Sequence, residues 1–254
     1  MDFILHSGTR YRIHSPFIYS FMEQVVLNKE TSSTILSIEK LRKDMLQDRR
    51  IILKTDLGAG AENAAAATYS VYLRDIARTS STRRRHALRL HHLACHTKAL
   101  SILELGTSLG MTTAYLAASN DNSRVISLEG CPELSGIART NLSRLGIGNV
   151  EILQGEFMQT LPAALAKLGR VDLVYIDGDH RKDSVIRNYD SILPYLHNDS
   201  VVIIDDIHMN PGMNRAWEHI RLKDEVRISL DFFFSGWLFF RRECSKEHFR
   251  LRYL

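Results

Sequence analysis

Two acidic runs, each ending in a histidine, carry the residue types for proton or metal chemistry: YIDGDH at 175–180 and IIDDIH at 203–208. Each closes a short apolar, β-rich stretch, so its acids fall at the carboxyl end of a strand. That end of an open α/β sheet is where ligands bind. The acids of the two runs, converging on one strand-end pocket, would repel one another. A proton, an Arg or Lys, a cationic ligand or a metal could each neutralise them. A metal would also lower the pKa of a bound hydroxyl. His180 could take up the released proton at neutral pH, since imidazole titrates near about 6.5. The plain alternative is that the aspartates cap helices and line a ligand, with His180 and His208 as polar rim.

Two stretches resemble nucleotide-binding turns: LKTDLGAGAENAA at 53–65 and ILELGTSLGMTTAYLA at 102–117. Such a site needs a strand, a glycine turn, a helix, and an acid at the end of the next strand. The second stretch has all four. SILEL ends near Glu104, Gly106 and Gly110 allow a tight turn, MTTAYLAAS opens a helix, and RVISLE ends in Glu129. A carboxylate at Glu129 can accept hydrogen bonds from both hydroxyls of a ribose. The first stretch has no following strand and no strand-end acid, so it is a glycine-rich bend between helices. Asp56 and Gly58 could still line a substrate lid. The real turn is G-x-x-x-G. It lacks the glycine of the dinucleotide fingerprint that lets the backbone approach a pyrophosphate, and the Lys-Ser/Thr of a phosphate-binding loop, which points to a nucleoside without a diphosphate.

The elements that must position these residues change character near residue 98. Ahead of it the pattern is helical. Ser15 caps and Pro16 opens a helix striped by Phe17, Phe21 and Val25. A second carries Ile35, Ile38, Leu41 and Met45, and two more are predicted over about 63–79 and 83–97. Beyond residue 98, SILEL, RVISLE, NVEILQ, VDLVYID and SVVIIDD alternate with helix-length segments. That alternation predicts a parallel sheet covered on both faces. EVRISLDFFFSGWLFFRR predicts two strands joined at Ser235-Gly236, with its aromatic residues buried in the sheet, and HFRLRYL is a last strand or an arm. The division is therefore 1–95, a helical extension serving as a lid, and 96–254, the ligand-binding domain.

Composition excludes several classes. At 44% hydrophobic and 24% charged, the 254 residues suit a globular chain. No run approaches the ~20 apolar residues of a membrane span, and the start does not read as a signal peptide. Cys95, Cys131 and Cys244 are scattered and odd in number, which favours a reducing cytoplasm over a disulfide framework. The net charge of +4 would suit an anionic substrate or RNA. However, no RNA-binding module is recognisable, DDIH stands where a base methylator would carry N/D-P-P-Y, and RRRH at 83–86 reads as a solvated helix face.

ELGTSLGMTTAYLA resembles the E-x-G-x-x-x-G-x-S/T motif of class I S-adenosylmethionine-dependent methyltransferases, especially the catechol and caffeoyl-CoA O-methyltransferase-like group. The likeness continues, in order, through VISLEGCPELSGIARTNLSRLGI, VEILQGEF, VDLVYIDGDH and VVIIDDIH, over about residues 95–242. It implies a Rossmann-like, seven-stranded doubly wound α/β sheet with a reversed last strand, plus the N-terminal helical extension. It implies S-adenosyl-L-methionine as cofactor. Glu104, Gly106, Thr107, Ser108 and Gly110 would surround the methionine part, Thr112 would meet its carboxylate, Glu129 would bind the ribose, and Gly155, Glu156 and Phe157 would border the adenine. Asp177 would touch both cofactor and reacting centre. Asp177, Asp205 and Asp206 match the group's metal ligands, with Mg²⁺ the expected ion, and His180 stands at its catalytic lysine as general base. Asp206 in place of an asparagine and His180 in place of a lysine depart from the group. The implied partners are a small-molecule acceptor and a second copy of the chain, with neither membrane nor nucleic acid. An RNA methyltransferase and a catalytically inactive cofactor-binding protein are the alternatives.

Overall fold

A computed structural model describes residues 8, 15–56 and 67–252. Eight strands form one sheet in the order β10-β8-β9-β7-β6-β3-β4-β5. They are β3 (Ser101–Leu105), β4 (Arg124–Glu129), β5 (Val150–Gln154), β6 (Leu173–Ile176), β7 (Val201–Asp205), β8 (Ile228–Asp231), β9 (Ser235–Phe239) and β10 (Glu247–Arg250). β9 runs antiparallel to both its neighbours, and every other pairing is parallel. The seven implied strands are all present, and the run HFRLRYL supplies the eighth, pairing beside β8.

Apolar residues alternate across the sheet because both faces are covered. On one face Ile102, Val125, Leu173 and Ile203 pack with α1 (Pro16–Phe21), α4 (Arg84–Thr97) and the end of α5 (Met111–Ala117). On the other, Leu103, Ile126, Val174 and Val202 pack with α7 (Phe157–Leu168), α8 (Lys182–Ile192) and α9 (Pro211–Arg221). A third cluster joins α2 (Ser33–Gln47) and α3 (Leu73–Thr79) to α5 and α6 (Pro132–Arg144). One helix signal is corrected: Ser15 stands at the N-cap of the first helix but makes no side-chain capping hydrogen bond. Pro16 occupies the first turn of α1, which continues as a π-helical turn at Met22–Val26, and the Ser32 hydroxyl caps α2 by accepting from Ile35 N at 3.2 Å. Ile35, Ile38, Leu41 and Met45 are the buried face of α2. Phe21 packs edge-on against Trp237 and Phe239, so α1 forms part of the sheet's cover.

Two further local expectations are corrected. The helix predicted over 63–79 is, from residue 67, a strand followed by a helix. β2 (Ala67–Tyr72) pairs antiparallel with β1 (Ile51–Asp56) before α3 begins. The β-formers Thr68, Tyr69, Val71 and Tyr72, offered a partner in IILKT, outweigh the alanines. Gly58 lies outside the described residues, and with it the bend considered as a lid. The turn expected at Ser235-Gly236 falls earlier. Phe233 adopts φ +71, Phe233 N donates to Asp231 Oδ1 at 2.8 Å, and Phe232 N donates to Ser235 O at 3.0 Å. Phe233 and Phe234 are therefore exposed, while Phe232, Trp237, Phe239 and Phe240 are buried.

Gly236 is required by packing and not by the turn. A Cβ there would stand 2.4 Å from Cζ3 of the buried Trp217. Gly236→Ala should destabilise the chain by about 1–3 kcal/mol through overpacking. Adding Trp217→Phe, which removes the obstructing ring atoms, should reduce that loss. Chemical denaturation of both variants checks this, and an unchanged midpoint for Gly236→Ala would refute it.

Candidate active site

The chain runs β3-β4-β5 outward, then returns to place β6 on the other side of β3. The crevice beyond the ends of β3 and β6 is the switch point where such sheets bind ligands. An open cleft of about 1100 Å³ lies there.

At one end, Gly106 and Thr107 N both donate to Leu128 O, at 3.0 and 3.2 Å, which hooks the turn onto β4. Ser108 adopts φ +48 and its N donates to Glu129 Oε2 at 2.7 Å. Cys131 N donates to Glu129 Oε1 at 2.9 Å. Burial raises the Glu129 pKa against these backbone donors. Its oxygens keep free lone pairs for further donors, as a ribose diol would supply. Ser108 Oγ is buried with no partner. Gly155, Glu156 and Phe157 complete this side of the cleft.

Four of the implied cofactor residues stand behind the cleft. Glu104 is fully buried, accepts from Thr113 and Ser127 hydroxyls at 2.5 and 2.6 Å, and is pushed up to about 8 by burial. Thr107 bonds Ser127 at 2.5 Å. Gly110, at φ +77, caps α5 where a Cβ would crowd Ala138 at 3.2 Å. The Thr112 hydroxyl donates to Thr82 at 2.8 Å. These residues shape the turn, while Gly106, Ser108, Glu129, Gly155, Glu156 and Phe157 face the space.

At the other end, Asp177, His180, Asp205 and Asp206 line the same cleft. Burial, and then the neighbouring carboxylate charge, raises Asp177; burial also raises Asp205. His180 Nε2 is 4.0 Å from Asp206 Oδ2. His208 does not line the cleft: its Nε2 meets Asp231 Oδ2 at 2.9 Å and its Nδ1 meets Asn214 at 2.8 Å.

Sequence reasoning missed two contributors. The fully buried Tyr175 hydroxyl stands 2.6 Å from Asp205 Oδ2 and 3.1 Å from Asp177 Oδ2. Its signal was a single tyrosine in an otherwise apolar strand, two residues before an acid. The second is α4 and its approach: Thr82, Arg85, His86 and Arg89 line the cleft. RRRH is thus only partly a solvated face. Arg83 lies over Phe234 at 5.7 Å, and His86 stands 3.6 Å from Asp205 Oδ1, pushed down to about 4 by burial. The helical spacing of 82, 85–86 and 89 carried that signal.

Residues 103–207 match the family model described as a methyltransferase domain. A catechol O-methyltransferase of Mycobacterium tuberculosis is 32% identical over 123 residues, 48% of this chain and 54% of that protein. One of Niastella koreensis is 37% identical over 93 residues, 35% of this chain and 42% of that protein. The chain spans about half the length of the curated relatives it matches. The O-methyltransferase of Bacillus cereus, solved with S-adenosylhomocysteine, superimposes with a TM-score of 0.58 at 18% identity, covering 88% of this chain and 97% of that one. Residues 103–207 thus match a methyltransferase domain, and the chain shares the Rossmann-like fold of the O-methyltransferase structure it superimposes on.

Proposed function

We propose that this chain transfers a methyl group from S-adenosylmethionine to an oxygen of a small molecule, assisted by a divalent cation. One observation carries the reading: a single cleft joins the Ser108–Glu129 pair to the acids and histidine at the ends of β6 and β7. The cofactor fits the first end, where Gly106 and Ser108 line the cleft, Glu129 can accept from a diol, and Ser108 Oγ lacks a partner. The donor set at the other end suits a cation, since carboxylates and imidazole both ligate divalent ions.

The sulfonium, when bound, supplies the methyl group, and a bound cation would lower the pKa of the acceptor hydroxyl. The chain's own task is alignment. Gly106 and Ser108 hold the methionine side, Glu129 the ribose, and Gly155, Glu156 and Phe157 the adenine. Glu104, Thr107, Gly110 and Thr112 keep the turn in shape from behind. Asp177 and His180 act at the acceptor oxygen, where the reacting atoms must be held in line. The exposed Met158, Met209 and Phe234 border the mouth and suit an acceptor with an apolar body. Lys54, Thr55 and the segment 78–89 form the rim on the side of residues 1–95, which supports the lid role and the division at residue 95.

Calorimetry should show S-adenosylhomocysteine binding and NAD not binding. Glu129→Ala should weaken the former by about 1–3 kcal/mol, the loss of charged hydrogen bonds. Unchanged affinity in that variant would move the ribose elsewhere.

A second expectation concerns pH. Asp177 and Asp205 have raised values in the fold, so between the ordinary carboxylate range, about 3.9, and their folded values the native state binds more protons than the unfolded one. Their contribution to stability is therefore present at acid pH and is lost as pH rises toward neutrality. Asp205→Asn should flatten this fall, and Mn²⁺ should raise stability more at neutral pH than at pH about 5. Denaturation midpoints across pH, with and without the ion, decide it. A cation effect that is equal at both pH values would contradict it.

A further inference from the structure

We propose that the cation site of this chain is built from Asp177, His180 and Asp206, that Tyr175 holds Asp205 out of it, and that His180 serves as a metal ligand and not as the general base. The inference deepens the functional reading above and rests on it.

One ligand atom from each of Asp177, His180 and Asp206 lies within 4.8 Å of the others, and among the described residues no other such group of acids, histidines or cysteines occurs. Two donors bonded at about 2.1 Å to one ion stand at most about 4.2 Å apart. The His180–Asp206 separation of 4.0 Å already meets that limit. No separation need contract by more than roughly 0.6 Å to meet the same limit, and the half-exposed Asp206 carboxylate has room to move.

Asp205 is engaged elsewhere. The Tyr175 hydroxyl has one proton, and its short 2.6 Å contact directs that proton to Asp205 Oδ2. Thr82 Oγ1 lies 3.3 Å from the phenol oxygen, on the side toward Thr112. The other Asp205 oxygen faces His86 Nε2, itself buried without a hydrogen-bond partner. Asp205 is thus tied into the wall formed by α4 and β6.

The backbone favours the alternative set. Asp206 adopts φ +54, the left-handed region that a non-glycine residue rarely occupies, immediately after β7 ends at Asp205. Asp179, at φ +52, gives its carboxylate to Arg181 at 2.5 and 2.8 Å. The turn after β6 therefore has His180, and not Asp179, available beside Asp177 and Asp206. An imidazole nitrogen beside two carboxylates shifts preference from Mg²⁺, which favours oxygen, toward Mn²⁺, Co²⁺ or Zn²⁺.

The test is titration of the full chain with Mn²⁺ and with Mg²⁺, by calorimetry, together with pulsed electron paramagnetic resonance of the bound Mn²⁺. The expected result is Mn²⁺ binding at least about tenfold tighter than Mg²⁺, with a histidine ¹⁴N coupling. His180→Ala should abolish the coupling and weaken Mn²⁺ by about tenfold or more. Asp205→Asn should retain the coupling, with Mn²⁺ affinity within about threefold of the unaltered chain. Absence of Mn²⁺ binding, Mn²⁺ binding without nitrogen coupling, or loss of binding in Asp205→Asn but not in His180→Ala would each overturn the assignment. S-adenosylhomocysteine titrated into the same samples reports folding and separates the two readings. If it binds while the metal result fails, only the ligand assignment falls. If it fails to bind the folded, unaltered chain, the functional reading itself falls.

Discussion

A methyl group at Gly106 would stand 2.1 Å from the Asp177 carbonyl oxygen. That close approach, between the turn after β3 and the turn after β6, is what the rest of the site depends on. The two strands are neighbours in the sheet although many residues separate them in the chain. Only a residue without Cβ, and at ease at φ +104, lets their ends meet. The same device recurs one loop further on, where a Cβ at Gly178 would reach Phe157 at 2.9 Å. The turns after β3, β5 and β6 therefore interlock through glycine. A cofactor lying along them would be held against the acids that serve the acceptor.

Electrostatics makes this interlocked end demanding. Glu104, Glu129, Asp177 and Asp205 crowd the strand ends, and burial raises all four. Backbone donors reach Glu129, two hydroxyls reach one oxygen of Glu104 while its Oε1 stays buried without a hydrogen bond, and Tyr175 serves the aspartate pair. The imbalance that remains favours a positively charged occupant, either a sulfonium or a metal ion. The like-charge crowding that weakens an empty fold would be relieved by such an occupant.

Much of this was legible in the sequence because one physical rule governed each reading. Continuous apolar strands alternating with helices specify a covered parallel sheet, and strand-end glycines and acids specify its binding edge. Glu129, Asp177 and His180 were found that way, Ser108 only through the family resemblance, and all four share the cleft. What escaped depended on contacts distant in sequence. The β1–β2 hairpin needs each strand's partner, and AENAAAATYS alone reads as helix. Gly236 reads as a turn residue until Trp217 is placed against it. Tyr175 and His86 carry local signals, a lone tyrosine in an apolar strand and a helical spacing, but only the packing of β6 and α4 brings both to Asp205.

The central claim is that the cofactor end and the acidic end form one unit through the Gly106–Asp177 approach. Gly106→Ala tests it most directly, with S-adenosylhomocysteine and Mn²⁺ affinities measured on protein whose circular dichroism shows the fold retained. The account expects both affinities to fall together, because the added methyl must push the two turns apart. Loss of one with the other intact, or retention of both, would contradict it.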